Sequence, residues 1–186
     1  MHVRFTTCVG ASVLEEGSHE PIGVITGMLP NPDTGTIHGF FVRTRGVFSS
    51  HELFLAVADI AHWGVNVHVR HVDHLAPLED FQRLVLLTQE GRTLLRQKIV
   101  TETGASLGRC ADVQFDTQHF SLEWLFPRQY FRWRRPIPVS AIIEVRRDAI
   151  VVRDAAKHVP LTETVLDTLV PLAEAPTVPQ PQTMMK

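Results

Sequence analysis

The chain of 186 residues repeats one short pattern, and this repetition limits the folds it can adopt. Residues 13–25 read as an apolar pair, an acidic turn ending in glycine and a hydrophobe–glycine step, and residues 99–110 follow the same plan. A second match pairs residues 57–60 (VADI) with residues 139–142 (VSAI), each leading into a valine-rich run. Repetition of segments rich in β-forming residues predicts two copies of one small β unit.

Turn and helix signals divide the chain into parts. Residues 30–35 (PNPDTG) predict a turn, and residues 65–70 alternate valine with polar side chains, as in a half-buried strand. Phe81, Leu84 and Leu87 stand at helical spacing before Gly91 and predict a short helix. The predicted organisation is a first unit at 3–77, a helical link at 78–91, a second unit at 92–155, and a short helix with a proline-rich flexible tail at 156–186.

Composition excludes several classes of protein. The net charge of -2 gives no overall basic field that would attract nucleic acid or acidic lipid. Two cysteines are too few for a disulfide framework, and no segment has the ~20 apolar residues of a membrane helix. The N-terminal residues lack the apolar stretch of a signal peptide. We therefore expect a soluble, cytoplasmic protein without a membrane span or a cofactor.

The second copy has the more complete set of motifs. They are IVTETG at 99–104, LGR at 107–109, DVQFD at 112–116 and PVSAI at 138–142. This succession resembles the PRC-barrel family. In the first copy Gly27 and Met28 take the places of Asp112 and Val113, and a proline-rich turn replaces the residues that follow.

The resemblance implies an all-β fold of two small, strongly bent PRC-type β-barrels in tandem with a short linking helix. It also implies use as an assembly module, since such barrels occur in the cytoplasmic part of the photosynthetic reaction-centre H subunit and in the bacterial ribosome-maturation factor. The family has no shared catalytic residue, so none can be transferred to this chain. Fold alone does not specify function.

Arginines and aromatic residues alternate at 126–135 (FPRQYFRWRR). We predict a hairpin with its turn at 127–129, which would bury Phe131 and Trp133 and expose Tyr130. Aromatic and arginine side chains together are typical of protein interfaces, and they also stack on bases and neutralise phosphates. The candidate partner-binding residues are Arg128, Tyr130, Arg132, Trp133, Arg134 and Arg135.

Other candidate sites have weaker patterns. His68, His71 and His74 could supply imidazole ligands to a transition metal, but on a strand His71 would point away from the other two. Residues 49–52 (SSHE) predict a loop. Asp112 and Asp116 are expected to fix turns, and Cys110 to be partly exposed.

These observations predict a non-enzymatic PRC-barrel protein that acts as a cytoplasmic protein-interaction module. One alternative is a ribosome- or RNA-associated factor that uses the arginine-rich run. Another is a metal-binding protein that uses the histidines. The partners open at this stage are one or more proteins, RNA or the ribosome, and a second copy of the chain.

Overall fold

A computed structural model of the chain describes residues 1–18, 20–45 and 50–154. This part is mainly β, as the sequence predicts, and consists of two curled sheets, one of which forms a half-barrel. The predicted short helix and proline-rich tail at 156–186 lie outside the described residues.

The first half of the chain contains eight strands and two helices within the described residues. In chain order they are β1 (His2–Arg4), α1 (Phe5–Cys8), β2 (Ser12–Glu15), β3 (Pro21–Pro30), β4 (Ile37–Arg45), β5 (Ser50–Ala56), β6 (Ile60–Trp63), β7 (Val67–Val69), β8 (Leu75–Ala76) and α2 (Gln82–Gln89). The second half continues with β9 (Lys98–Thr101), β10 (Ser106–Asp116), β11 (Ser121–Gln129), β12 (Arg132–Trp133), β13 (Ile137–Pro138), β14 (Ile142–Val145) and β15 (Ala149–Val152).

The two sheets share one strand order. Over six strands it runs β6-β7-β2-β3-β4-β5 in one sheet and β14-β15-β9-β10-β11-β12 in the other. Outside this shared order β8 pairs with β5, whereas β13 pairs with β11 and β1 with β10. Each sheet has one parallel pair, β7 beside β2 and β15 beside β9. A 3₁₀ turn leads into the hairpin that supplies the parallel strand, at Val57–Asp59 and at Val139–Ala141. These turns are the segments that repeat in the sequence, so the sequence repeat corresponds to a repeat of strand order.

Thr36 and Ser121, which are 85 positions apart, form an antiparallel bridge between the two sheets. Two hydrogen bonds flank the bridge, from Ile37 N to Phe120 O at 2.7 Å and from Leu122 N to Gly35 O at 2.8 Å. The same offset of 85 separates Gly23 from Gly108, the glycines of the repeated hydrophobe–glycine step, so the bridge joins equivalent positions of the two halves. The two halves therefore meet as a symmetric dimer would, across a local two-fold axis.

The turns beside this bridge are also equivalent. Asn31 Oδ1 accepts a hydrogen bond from the N–H of Asp33 at 2.9 Å, and Asp116 Oδ1 accepts one from the N–H of Gln118 at 3.1 Å. Both are Asx-type turns, in which the side chain replaces a backbone acceptor. The proline-rich turn of the first copy thus has the same geometry as the turn after Phe115 in the second.

The buried side chains form one hydrophobic cluster drawn from both sheets. At its centre Phe40 of β4 lies 5.8 Å from Phe115 of β10, measured between ring centroids. Trp63 contacts both rings, at 4.8 Å and 5.6 Å. The two halves therefore share a core instead of each enclosing its own.

Gly23 and Gly108 occupy equivalent sites at which a neighbouring strand passes very close. A Cβ on Gly23 would lie 2.6 Å from the carbonyl oxygen of Arg43, and a Cβ on Gly108 would lie 2.6 Å from that of Arg128. Real Cβ atoms do not approach this closely, so neither position accepts a side chain without displacing backbone. The hydrophobe–glycine step of the repeat is explained by this contact.

Two predicted elements are shorter than their patterns suggest. The helix of the link is confined to Gln82–Gln89, after a 3₁₀ turn at Leu78–Asp80, and Phe81 between them packs on Phe54 with ring centroids 5.2 Å apart. The strand predicted at 65–70 is reduced to Val67–Val69, because the chain turns just before it and leaves Val65 95% exposed.

Candidate interaction site

Strands β11 and β12 form a hairpin, here called the aromatic hairpin (residues 128–133), whose turn consists of two aromatic residues. Arg128 pairs with Trp133 across its base, and Tyr130 and Phe131 make the turn. Both turn residues have positive φ, 47° and 66°, as a type I′ turn requires. Asn and Gly usually fill such positions, because a bulky side chain is strained there. The turn therefore holds two aromatic rings at a cost in conformational energy.

The predicted turn at residues 127–129 is wrong, because Pro127 remains within β11. It lies opposite Cys110, next to a bulge in β10 between Cys110 and Asp112. Proline is tolerated beside a bulge, where the regular ladder of hydrogen bonds is already interrupted. The strand continues to Gln129, and the turn follows immediately after it.

Three aromatic side chains of the hairpin face solvent. The exposed fractions are 85% for Tyr130, 89% for Phe131 and 53% for Trp133. Exposure of Tyr130 is confirmed, whereas the predicted burial of Phe131 and Trp133 is wrong, because the turn lies at Phe131 and breaks the alternation on which that prediction depended. Large exposed apolar patches are uncommon on soluble proteins, and exposed aromatic side chains that lie together are typical of binding surfaces.

Arg4 of β1, which is far from the hairpin in the sequence, completes this surface. Its guanidinium carbon lies 4.1 Å from the ring centroid of Phe126 and 5.0 Å from that of Trp133. Its Nε lies 2.8 Å from Oδ2 of Asp112, a carboxylate with no exposed surface. No local pattern in the sequence links position 4 to position 133, so sequence reasoning missed this residue.

Asp112 also fixes the start of α1. Its carboxylate accepts hydrogen bonds from the N–H of Thr6 at 3.0 Å and from the hydroxyl of Thr6 at 2.5 Å. It thereby holds the N-terminal segment, with Arg4, against β10. The predicted turn-fixing role of Asp112 is wrong, because Asp112 lies within β10 and its carboxylate contacts Arg4 and Thr6, which are more than 100 positions away.

Asp116 has the turn-fixing role predicted for it. It accepts a hydrogen bond from the N–H of Gln118, and its Oδ2 lies 2.5 Å from Nδ1 of His119. Two hydrogen bonds hold the pKa of Asp116 well below its ordinary value. The one with His119 has the larger effect, and the one from the N–H of Gln118 has the smaller.

The arginines of the hairpin region lack partners for their charge. Among the described residues, none of Arg128, Arg132, Arg134 and Arg135 lies within ion-pair distance of a carboxylate. Arg128 stacks instead on the rings of Phe131 and Trp133, at 5.7 Å and 5.6 Å. Arg134 donates a hydrogen bond from Nη2 to the side-chain oxygen of Gln129 at 2.7 Å, a neutral partner that leaves its charge uncompensated.

Two adjoining clefts lie beside the aromatic hairpin. One, of about 320 Å³, is lined by Ser106, Leu107, Pro127, Gln129, Arg134, Arg135 and Ile137. The other, of about 250 Å³, is lined by Lys98, Ser106, Gly108, Arg109, Arg128, Gln129 and Tyr130. Ser106 and Gln129 belong to both. Every charged residue that lines either cleft is basic.

The cysteines are buried thiols. Burial raises the pKa of Cys8 to about 11 and that of Cys110 to about 12. The predicted partial exposure of Cys110 is wrong, because the bulge before Asp112 turns its side chain into the core, where it has no exposed surface. Neither thiol has the thiolate character that a nucleophile needs.

The three candidate metal ligands do not converge. His68 lies on β7, and His71 and His74 lie at the start and end of a 3₁₀ turn with ring centroids 6.4 Å apart. His74 Nδ1 instead faces Asp59 Oδ1 at 3.0 Å. Within residues 1–18, 20–45 and 50–154, no three His, Cys, Asp or Glu side chains are grouped so that they could hold a metal ion.

The segment predicted as a loop at residues 49–52 is strand from residue 50 onward. His51 and Glu52 belong to β5, and Glu52 Oε1 accepts a hydrogen bond from the hydroxyl of Thr26 at 2.8 Å. Ser49 lies outside the described residues.

No protein-family model matches this chain, and no curated protein matches it significantly. In the described part of the chain, no helix is both long enough and apolar enough to cross a membrane.

Proposed function

We propose that this chain is a tandem PRC-barrel-type protein whose two units are joined through a common core. The shared strand order of the two sheets and the symmetric bridge at Thr36 and Ser121 support a duplicated unit. The choice of family rests on the motifs of the second copy, of which IVTETG covers the end of β9 and the turn after it, and DVQFD forms the end of β10.

Its function is that of a non-enzymatic protein-interaction module, and the aromatic hairpin is the contact surface. The observation that carries this proposal is the exposure of Tyr130 and Phe131 in a strained turn. A sequence selected for stability alone would place small residues in such a turn. Residues that are costly for folding and exposed to solvent are typical of functional sites.

The test compares the full-length wild type with a variant carrying Tyr130→Ala and Arg132→Ala, each expressed at its native level in the native cell. Crosslinking, affinity purification and mass spectrometry then identify the bound proteins. A matched control carries Leu86→Ala and Arg83→Ala on α2, which also removes one exposed apolar and one exposed basic side chain. We expect the wild type and the control to retain a partner that the hairpin variant loses.

Retention of every partner by a folded hairpin variant would contradict the proposal. Loss of the fold in that variant would show that the hairpin is needed for stability. Reproducible turnover in a broad screen for hydrolase and oxidoreductase activity would contradict the non-enzymatic part.

The alternative function is association with ribosomal or other RNA, and it is supported by the four arginines at positions 128, 132, 134 and 135, none of which forms an ion pair with a described carboxylate. Contacts to phosphates release counterions, so such binding weakens steeply as the salt concentration rises. Fluorescence polarisation with a structured RNA and with a single-stranded oligonucleotide tests it. Failure of both to bind at low salt would exclude this alternative.

A further inference from the structure

We infer that the partner of the aromatic hairpin is an extended, acidic protein segment that carries an apolar side chain. This inference rests on the proposed function, for which it specifies the chemistry of the partner.

The charge of the two clefts indicates an acidic occupant. Lys98, Arg109 and Arg128 line the smaller cleft, and Arg134 and Arg135 line the larger one. Neither lining includes a carboxylate. Guanidinium groups bind carboxylates through paired, charge-assisted hydrogen bonds, and complementary charge favours both association rate and specificity.

The shape and apolar lining of the clefts indicate an extended segment with an apolar anchor. Leu107, Pro127 and Ile137 contribute apolar surface to the larger cleft, and Ile137 is buried. An aliphatic or aromatic side chain would fill this space, while the residues before and after it reach the basic groups. Because the clefts adjoin at Ser106 and Gln129, one continuous peptide can occupy both.

The ring contacts favour a peptide over nucleic acid. Trp133 has the guanidinium groups of Arg4 and Arg128 over its ring, and Arg128 also lies over Phe131. Base stacking needs free ring faces, which these contacts reduce. The net charge of -2 adds no long-range attraction for a polyanion, whereas a short acidic segment responds to the local charge.

The experiment selects random linear peptides on the full-length protein by phage display. Peptides that also bind a variant carrying Arg128→Ala and Tyr130→Ala are removed by counter-selection. If circular dichroism shows that this variant does not fold, a second variant with Arg134→Ala and Arg135→Ala is used for the counter-selection. Selected peptides are labelled with fluorescein, and their dissociation constants are measured by polarisation at low and high ionic strength.

We expect hairpin-dependent peptides that are enriched in Asp and Glu around an apolar residue. Replacement of their carboxylates by amides should weaken binding by about tenfold or more. Hairpin-dependent peptides without acidic enrichment would overturn this inference and leave the proposed function intact. If no peptide depends on the hairpin, the inference fails, and binding of oligouridylate by the same protein would then favour the RNA alternative over the proposed function.

Discussion

Arg4 and Trp133 are 129 positions apart in the sequence, yet the guanidinium carbon of Arg4 is 5.0 Å from the ring centroid of Trp133. The buried carboxylate of Asp112 holds the same arginine through its Nε. A buried anion, a cation and an exposed ring therefore form one continuous contact from the core to the aromatic hairpin. Arg4 positions the hairpin without belonging to it.

Replacement of Arg4 should reveal this role. Arg4→Met leaves the buried Asp112 carboxylate without its cation, which we expect to cost about 2 kcal/mol of unfolding free energy. The loss is smaller than for a fully buried pair, because the Arg4 side chain is 37% exposed and Asp112 keeps its bonds to Thr6. Urea denaturation measures the change. Arg4→Lys, which keeps the charge, should recover part of the loss, and equal stability of Arg4→Met and wild type would contradict the prediction.

The turn of the hairpin should become more stable when its aromatic residues are removed. Tyr130→Asn with Phe131→Gly introduces the residues that a type I′ turn prefers, and we expect a gain of about 1 kcal/mol. Tyr130→Ala with Phe131→Ala removes the rings but keeps two Cβ atoms at positive φ, so it should give no such gain. Chemical denaturation of both variants is the measurement. A less stable Asn-Gly variant would show that the aromatic residues stabilise the turn.

The two equivalent glycines should respond alike to substitution. Gly108→Ala brings a Cβ within 2.6 Å of the Arg128 carbonyl oxygen at a φ of 106°, and we expect it to cost about 3 kcal/mol. Gly23→Ala meets the Arg43 carbonyl at the same distance and should also be strongly destabilising. Gly104→Ala is the control, because it has positive φ but open space around it, and should cost about 1 kcal/mol. Similar losses for Gly104→Ala and Gly108→Ala would refute the close-contact explanation.

The cysteines should be unreactive until the protein unfolds. Burial raises the pKa of Cys8 to about 11 and that of Cys110 to about 12, from an ordinary value of 9.0, so both thiols stay neutral near neutral pH. The stability that neutral thiols provide is complete below pH 9.0 and is lost as the pH rises toward about 11 for Cys8 and about 12 for Cys110. Titration with a thiol-specific disulfide reagent, with and without urea, measures the reactivity of the two cysteines in the folded and the unfolded protein. Leu86→Cys, at a position 63% exposed, supplies a reactive comparison, and fast labelling of native Cys8 or Cys110 would disprove the prediction.

Patterns that recur in the sequence predicted the fold best. The repeated VADI and VSAI segments lie at the same 3₁₀ turns in both halves, and the hydrophobe–glycine steps lie at the same close strand contacts. Such features are local, because one turn or one strand pair determines each residue type. The mainly β class and the repeat were therefore accessible from the sequence.

The candidate site was only partly predictable. The arginine–aromatic run was identified, but its turn was misplaced, since Pro127 suggests a turn by composition and a bulge in the neighbouring strand allows it to stay in β11. That bulge also turned Cys110 inward. Arg4 was missed because its role depends on contacts with residues more than 100 positions away, which no local pattern records.

The symmetric bridge at Thr36 and Ser121 has a consequence for valence. Two identical chains joined across such an axis would present two identical hairpins and could crosslink their targets. When both halves belong to a single chain, the sequence of one hairpin can change while that of the other stays the same. Only the second half of this chain has the arginine–aromatic run. Under the proposed function, the duplication would therefore make the chain monovalent, with one contact surface for its partner instead of two.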